Sequence, residues 1–173
     1  MRIADKRAIS VLAGLLLAGA VAAPGLAAEA SHVSVGVTTV RSKISNEVPV
    51  VVSLRVARAD RPKLLHWDYW GTDDGRRPPN TIVTRLTVAI GRDTVLIPFG
   101  AYGDLSEPDS VWVSCGGSGA TVYLRGGDAA GSYDASFVVL HGMLYKRRVQ
   151  SGEFPEEVWE ETVYSWIPDA DDR

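Results

Sequence analysis

The sequence has few residues that could build a metal site or a disulfide. It contains one cysteine, Cys115, and three histidines, so no internal disulfide can form. His66 lies near Asp68, but no second His or Cys is spaced to complete a zinc site. We therefore predict no metal and no cofactor. Cys115 is expected to be a small buried apolar residue, with an intermolecular disulfide or a reactive thiol as the alternative.

A long hydrophobic run is missing as well. The main apolar stretch covers residues 8–23, whereas a membrane-spanning helix needs about 20 apolar residues. Arg2, Lys6 and Arg7 precede this stretch and small residues follow it, which is the order of a secretory signal peptide. We predict that residues 1–30 are such a signal peptide, a retained membrane anchor being the alternative. The protein is then exported, periplasmic or secreted, with no stable membrane anchor after processing.

The chain has no excess of positive charge. It carries 18 Lys and Arg against 21 Asp and Glu, which gives a formal net charge of −3. A mildly acidic protein repels the phosphate backbone of DNA and RNA. Nucleic acid is therefore not expected as a partner.

No segment shows the periodicity of a helix of ordinary length. Apolar and polar residues instead alternate every second position, which places them on opposite faces of β-strands. Val33, Val35 and Val37 are expected to share one face of the first strand. The predicted strands comprise residues 33–38, 48–57, 82–90, 94–99, 111–115, 120–125, 132–140, 143–149 and 158–166.

Turn residues separate these strands, and such spacing is typical of antiparallel folds. We predict an all-β fold, an antiparallel β-sandwich or open barrel of about eight or nine strands. It forms one domain over residues 31–167. Residues 168–173 are expected to be a flexible acidic tail.

Residues 59–80 form the longest stretch without a sustained period. Loops beyond about 12–15 residues are usually functional or disordered, and three aromatic residues argue against disorder. The loop has the composition of interface hot spots and also suits carbohydrate stacking. Its alternative role is a plug whose tryptophans cap one end of the sandwich. The candidate binding residues are His66, Trp67, Asp68, Tyr69, Trp70, Arg76 and Arg77.

Ser118 is the best placed residue for nucleophilic catalysis. A nucleophile elbow needs glycine two positions to either side of the serine, and Gly116 fits whereas Ala120 does not. A triad with His141 would have to assemble in space. An envelope-acting hydrolase with Ser118 or Cys115 as nucleophile is therefore an alternative function.

Three further groups of polar residues have structural interpretations that outweigh the functional ones. Asp73-Asp74-Gly75 lacks the spacing of a calcium loop and indicates a solvated acidic loop. The glycine-rich residues 125–133 join two strands, which favours a hairpin loop over a phosphate cradle. Lys146-Arg147-Arg148 precedes Glu156, Glu157, Glu160 and Glu161, so cross-strand ion pairs on a solvated sheet face are expected.

Three blocks resemble small exported bacterial proteins of unassigned function. They are Ile97-Pro98-Phe99-Gly100-Ala101-Tyr102-Gly103-Asp104-Leu105, residues 125–133, and Gly152-Glu153-Phe154-Pro155-Glu156-Glu157-Val158-Trp159-Glu160. The resemblance covers about residues 80–166 and implies an extracytoplasmic β-domain without an assigned active site. Ser118-Gly119 with Tyr123 also resembles the Ser-Gly-x-x-Tyr loop of periplasmic lysozyme inhibitors. The tyrosine stands one residue late, and the paired cysteines of many such inhibitors are absent.

The function predicted from these features is that of an exported, non-enzymatic β-domain. It is expected to bind a protein or a cell-envelope polymer through residues 59–80. The alternatives are the hydrolase described above, and a structural subunit or periplasmic inhibitor.

Overall fold

The computed structural model describes residues 29–44, 47–60, 68–72, 78–117 and 119–164. Within these ranges the chain forms ten strands and two single 3₁₀ turns, at Phe99–Ala101 and Ala129–Gly131. Neither turn is long or apolar enough to cross a membrane, and these ranges contain no other helix. The strands are β1 (Ser31–His32), β2 (Gly36–Ile44), β3 (Val48–Arg58), β4 (Thr81–Ile90), β5 (Asp93–Val95), β6 (Pro108–Gly116), β7 (Gly119–Gly126), β8 (Tyr133–Leu140), β9 (Met143–Ser151) and β10 (Val158–Val163).

The strands form two antiparallel sheets that pack against each other. The larger sheet has the order β1-β6-β7-β8-β9-β10, and the smaller has the order β2-β3-β4-β5. This arrangement confirms the predicted all-β antiparallel sandwich. The described strands number ten rather than eight or nine, because the short strand β1 precedes β2 where a single first strand is predicted.

The core lies between the two sheets and consists of side chains at alternate strand positions. Burying an aliphatic or aromatic side chain of this kind contributes about 1.5–3 kcal/mol. The least exposed members include Val50, Val52, Leu54, Val88, Val111, Val113, Val122, Leu124, Phe137 and Val139.

The prediction that Val33, Val35 and Val37 share one face of a single strand is wrong. Val33 is buried, whereas Val35 and Val37 are 52% and 57% exposed. The reason is a change of sheet: β1 pairs with β6, and β2 pairs with β3. Gly36, with a φ of 122°, lies at this crossing, and from there Val40 faces the core instead.

The strand predicted over residues 94–99 is also shorter than expected. β5 ends at Val95, and Phe99, which is 58% exposed, starts a 3₁₀ turn. Pro98, which precedes that turn, has no N–H to continue the ladder. Ile97 nevertheless remains buried, as the alternation predicted.

The β8–β9 hairpin contains an irregularity that decides which basic residue is buried. His141 and Gly142 form the predicted tight turn, with φ values of 50° and 76°, as a two-residue hairpin turn requires. Val139 pairs with Leu144, but Val138 pairs with Lys146, so one residue, Tyr145, is extra in β9. This β-bulge shifts all later positions of β9 by one.

Because of this shift, Arg147 instead of Lys146 lies opposite Phe137 and points into the core. The expected cross-strand ion pairs are confirmed, since Arg147 contacts Glu160 and Lys146 lies 3.4 Å from Glu161. The prediction of a fully solvated basic face is wrong for Arg147, whose side chain is only 2% exposed.

Candidate functional site

The aromatic loop leaves the sandwich and returns to it at one point. Ala59 N donates a hydrogen bond of 2.8 Å to Asn80 O. Between these residues the structure describes Asp68–Thr72, the centre of the loop. The candidate residues His66, Trp67, Arg76 and Arg77 lie outside the described residues, as do Asp73-Asp74-Gly75.

Trp70 is fixed to the segment that precedes β6. Its N donates to Asp104 O at 2.9 Å, and its O accepts hydrogen bonds from Ser106 N at 3.0 Å and from Ser106 Oγ at 2.7 Å. These three bonds satisfy the backbone of Trp70 and make the loop centre part of the folded domain.

Gly71 allows the loop to approach so closely. It has a φ of 102°, and a Cβ at this position would lie 2.6 Å from Ser106 O and 3.0 Å from the ring of Tyr133. Both the conformation and the space therefore require glycine. Tyr133 itself is fully buried and donates a 3.0 Å hydrogen bond to Ser106 O. Burial is the main reason why its pKa is raised, so its hydroxyl stays protonated.

The Trp70 ring stacks on Trp159 of β10, with centroids 5.3 Å apart and ring planes at 16°. Trp159 is the extra residue of a second β-bulge, between the pairs Val158–Gln150 and Glu160–Val149. A bulge of this kind redirects a side chain. In β10, an edge strand of the larger sheet, the bulge lies where Trp159 contacts Trp70 of the loop.

The two tryptophans line a cavity of about 230 Å³. Asp68 and Tyr69 of the loop, together with the 3₁₀ turn that contains Ala130, complete its wall. That turn belongs to the glycine-rich residues 125–133, and its position between β7 and β8 confirms the predicted hairpin loop. The structure thus brings Asp68, Tyr69 and Trp70 together at one cavity.

Arg147 supports this cavity from the core side. Its Nη2 bonds both carboxylate oxygens of Asp104, at 2.7 and 2.6 Å, and its Nη1 donates to Glu160 Oε1. One guanidinium therefore joins β9, β10 and the residue whose carbonyl holds Trp70. The two carboxylates and the one guanidinium together carry a net charge of −1. Water can solvate this excess charge because the side chains of Asp104 and Glu160 are 29% and 35% exposed.

Hydrogen bonds and neighbouring charges fix the ionisation of this cluster. Burial alone would raise the pKa of Glu160, but hydrogen bonds from Arg147, Thr162 and Trp70 and the charge of Arg147 lower it. Burial opposes the charge of Arg147, yet Glu160 and Asp104 outweigh it and raise the pKa. Burial and the charge of Asp104 raise the pKa of Tyr69, so its phenol remains a neutral hydrogen-bond donor.

The residues considered for catalysis lie elsewhere. Cys115 is 6% exposed, as predicted for a buried apolar residue. It occupies the far end of β6 from the aromatic cavity, where Gly116 pairs with Gly119. His141 is exposed in the β8–β9 turn, and Ser118 lies outside the described residues. Among the residues that the structure describes, no group of three His, Cys, Asp or Glu side chains could hold a metal ion.

Sequence reasoning identified the loop but missed the residues that hold it. Trp159, Asp104, Arg147 and Glu160 come from three separate segments, and no sequence motif links these segments to the loop. The sequence carries one signal for part of this set, since Lys146-Arg147-Arg148 as a group is predicted to form cross-strand ion pairs with the glutamates that follow. No protein-family model, curated protein sequence or solved structure matches this chain significantly.

Proposed function

We propose that the chain is an exported, non-enzymatic β-domain that binds a protein or a cell-envelope polymer through the aromatic loop of residues 59–80. The observation that carries the proposal is the cavity between the Trp70–Trp159 stack, Tyr69 and Asp68. Aromatic faces beside a few polar groups are typical of binding sites for a protruding side chain or a sugar ring.

The fixed geometry of the cavity supports binding over a purely structural plug. Trp70 is held by backbone hydrogen bonds and Trp159 by a bulge, so their rings are positioned before a ligand arrives. A preorganised site loses less conformational entropy on binding than a mobile one. Tyr69 and Asp68 supply a neutral donor and a carboxylate at its mouth.

Export is supported by the sequence of residues 1–30, of which residues 1–28 lie outside the described residues. Arg2, Lys6 and Arg7 followed by the apolar run form the pattern that a secretion signal requires. Expression of the complete chain in a bacterial host, cell fractionation and N-terminal sequencing test this part. Processing close to residue 30 with recovery outside the cytoplasm supports export, and unprocessed cytoplasmic protein contradicts it.

Binding is tested with two immobilised forms of envelope material. Purified peptidoglycan sacculi serve as the polymer, and a cross-linked periplasmic extract supplies proteins. Trp70→Ala and Trp159→Ala should each reduce capture at least about tenfold, as expected when a central aromatic contact is removed. Asp68→Lys, at an exposed position, changes the cavity mouth without removing core contacts.

Trp112→Ala is the matched control. Trp112 stacks on Tyr123 with centroids 5.2 Å apart, so the same chemical change is made away from the cavity. Capture that is kept in Trp70→Ala, Trp159→Ala and Asp68→Lys, or that is lost equally in Trp112→Ala, would overturn the proposed site. Stoichiometric labelling of Ser118 or Cys115 by an active-site-directed probe in the folded protein would instead establish the hydrolase.

A further inference from the structure

A second concave surface lies at the opposite end of the sandwich from Trp70. Six strands face four, and β2 packs against β1 and β6 at one side of the larger sheet. Among the described strands, none of the smaller sheet packs against the inner face of β9 or β10 as closely as β2 packs against β6. Near Trp70 this face is covered by the segment with Asp104, but near the His141 turn it remains open.

The open part forms a cleft of about 790 Å³ between three segments. Leu96 and Pro98 form one wall, the β8–β9 hairpin from Leu140 to Tyr145 forms another, and Tyr164 closes the side next to β10. This volume lies in the range of about 300–1,000 Å³ that is typical of small-molecule sites.

The lining is apolar and exposed to an unusual degree. Leu96 is 84% exposed, Met143 45% and Tyr145 46%. The bulge in β9 inserts Tyr145 at this point, so the exposed ring results from an irregularity of the strand. Contiguous exposed apolar residues on a soluble domain indicate a binding surface.

The few polar side chains of the cleft restrict the kinds of ligand that it can bind. No Lys, Arg, Asp or Glu among the described residues lines it, and the polar side chains are the two tyrosines and His141. Burial is the main reason why the pKa of Tyr164 is raised, so its hydroxyl is neutral. A peptide would bring backbone N–H and C=O groups that need partners, and leaving each without one costs about 1–3 kcal/mol. An aliphatic chain brings none.

The size of the cleft also argues against a protein partner. Nine described residues line it, whereas a stable protein interface uses about 20–30 residues on each side. We propose that this cleft binds the aliphatic chain of a monomeric single-chain amphiphile, such as a fatty acid, with its charged headgroup left in water. Burial of each CH₂ in such a site contributes about 0.8 kcal/mol.

Dodecanoate below its micelle concentration is the probe, and NMR of ¹³C-methyl methionine is the readout. The chain has only two methionines, Met1 and Met143, and a Met143→Leu variant assigns the cleft signal. Dodecanoate should shift the Met143 signal saturably. Butyrate, which has the same carboxylate and a short chain, should leave it unchanged at the same concentration.

Leu96→Asp should weaken dodecanoate binding at least about tenfold, because it places a charge in the apolar wall. Val37→Asp is the control, since Val37 is an exposed apolar residue on β2, and it should bind like the original chain.

Equal effects of butyrate and dodecanoate, or no saturable shift, would overturn the proposal. So would a Met143 shift that appears only with phospholipid vesicles, or self-association of the unliganded chain in sedimentation that Leu96→Asp abolishes. None of these results depends on the aromatic site.

Discussion

The two ends of this sandwich differ in how completely the inner side of the larger sheet is covered. At both ends, residues from segments between strands lie against the β9 side of the larger sheet: Asp104 at one end, and Leu96 and Pro98 at the other. At the Trp70 end the cover is a polar and aromatic network, in which Arg147 bonds Asp104 and Glu160 while Trp70 stacks on Trp159. At the His141 end the cover is incomplete, and Leu96, Met143 and Tyr145 remain exposed.

This difference predicts that residues at the Trp70 end contribute more to the free energy of unfolding than the exposed residues at the His141 end. Arg147 is buried and has two carboxylate partners, so any change there leaves charges without compensation. Leu96 is almost fully exposed, so a change there removes few contacts. Substitutions in the buried Arg147 network should therefore reduce stability strongly, and substitutions of the exposed apolar residues at the His141 end should reduce it little.

The largest effect is expected for Arg147→Ala. The substitution leaves Asp104 and Glu160 without their shared cation. Breaking a buried pair costs about 3–5 kcal/mol, and the 29% and 35% exposure of the two carboxylates places the expected loss at the lower end of that range. Urea denaturation followed by circular dichroism gives the free energy of unfolding. Lys146→Ala is the neighbouring control, because the exposed Lys146–Glu161 pair is worth at most about 1 kcal/mol. Equal losses in both variants would show that the buried network does not stabilise this end.

A smaller loss is expected for Gly71→Ala. The added Cβ would collide with Ser106 O and the backbone would be strained at a φ of 102°, at a cost of about 1–3 kcal/mol. Gly117→Ala is the matched control, since Gly117 also has a positive φ but a Cβ added there would meet no atom within 4 Å. Trp fluorescence during denaturation measures both, and a smaller loss for Gly71→Ala than for Gly117→Ala would refute the close approach.

Acidification should lower the free energy of unfolding through the Trp70 end by a still smaller amount. The pKa of Glu160 is lowered in the folded protein, so its stabilisation is complete above the ordinary glutamate value of about 4.3 and is lost as the pH falls through the lowered pKa. Solvent screening limits the effect because the side chain is 35% exposed. Stability measured at several pH values for the original chain and for Glu160→Gln tests this. Their difference should shrink on acidification, and a constant difference would contradict it.

The sheets could be predicted from the sequence because burial follows a two-residue period. Val50, Val52 and Leu54 on β3, and Ala135, Phe137 and Val139 on β8, are buried where the alternation placed them. The alternation failed at Val35 and Val37, where the chain passes from one sheet to the other. Such a crossing is set by packing between the sheets, which leaves no periodic signal in the local sequence.

Of the two candidate sites, the aromatic cavity was predictable in part and the apolar cleft was not, for a related reason. The loop that contains Trp70 was identified by its length and composition, but its contact with Trp159 depends on a bulge in a distant strand. The bulge at Tyr145 likewise exchanges Lys146 for Arg147 in the core. The apolar cleft was missed entirely, since Leu96, Met143 and Tyr164 belong to three segments that only the fold brings together.

The smallest effect on stability is expected at the His141 end. Leu96→Asp and Met143→Lys change exposed side chains, 84% and 45% exposed, and such surface substitutions usually alter the free energy of unfolding by no more than about 0.5 kcal/mol. Their urea midpoints should match that of the original chain, whereas Leu144→Ala, a buried neighbour on the same hairpin, should lose about 2–5 kcal/mol. If the two surface variants lost as much as Leu144→Ala, the exposed apolar residues would be core members of this end. The two ends would then not differ in how much their residues contribute to stability.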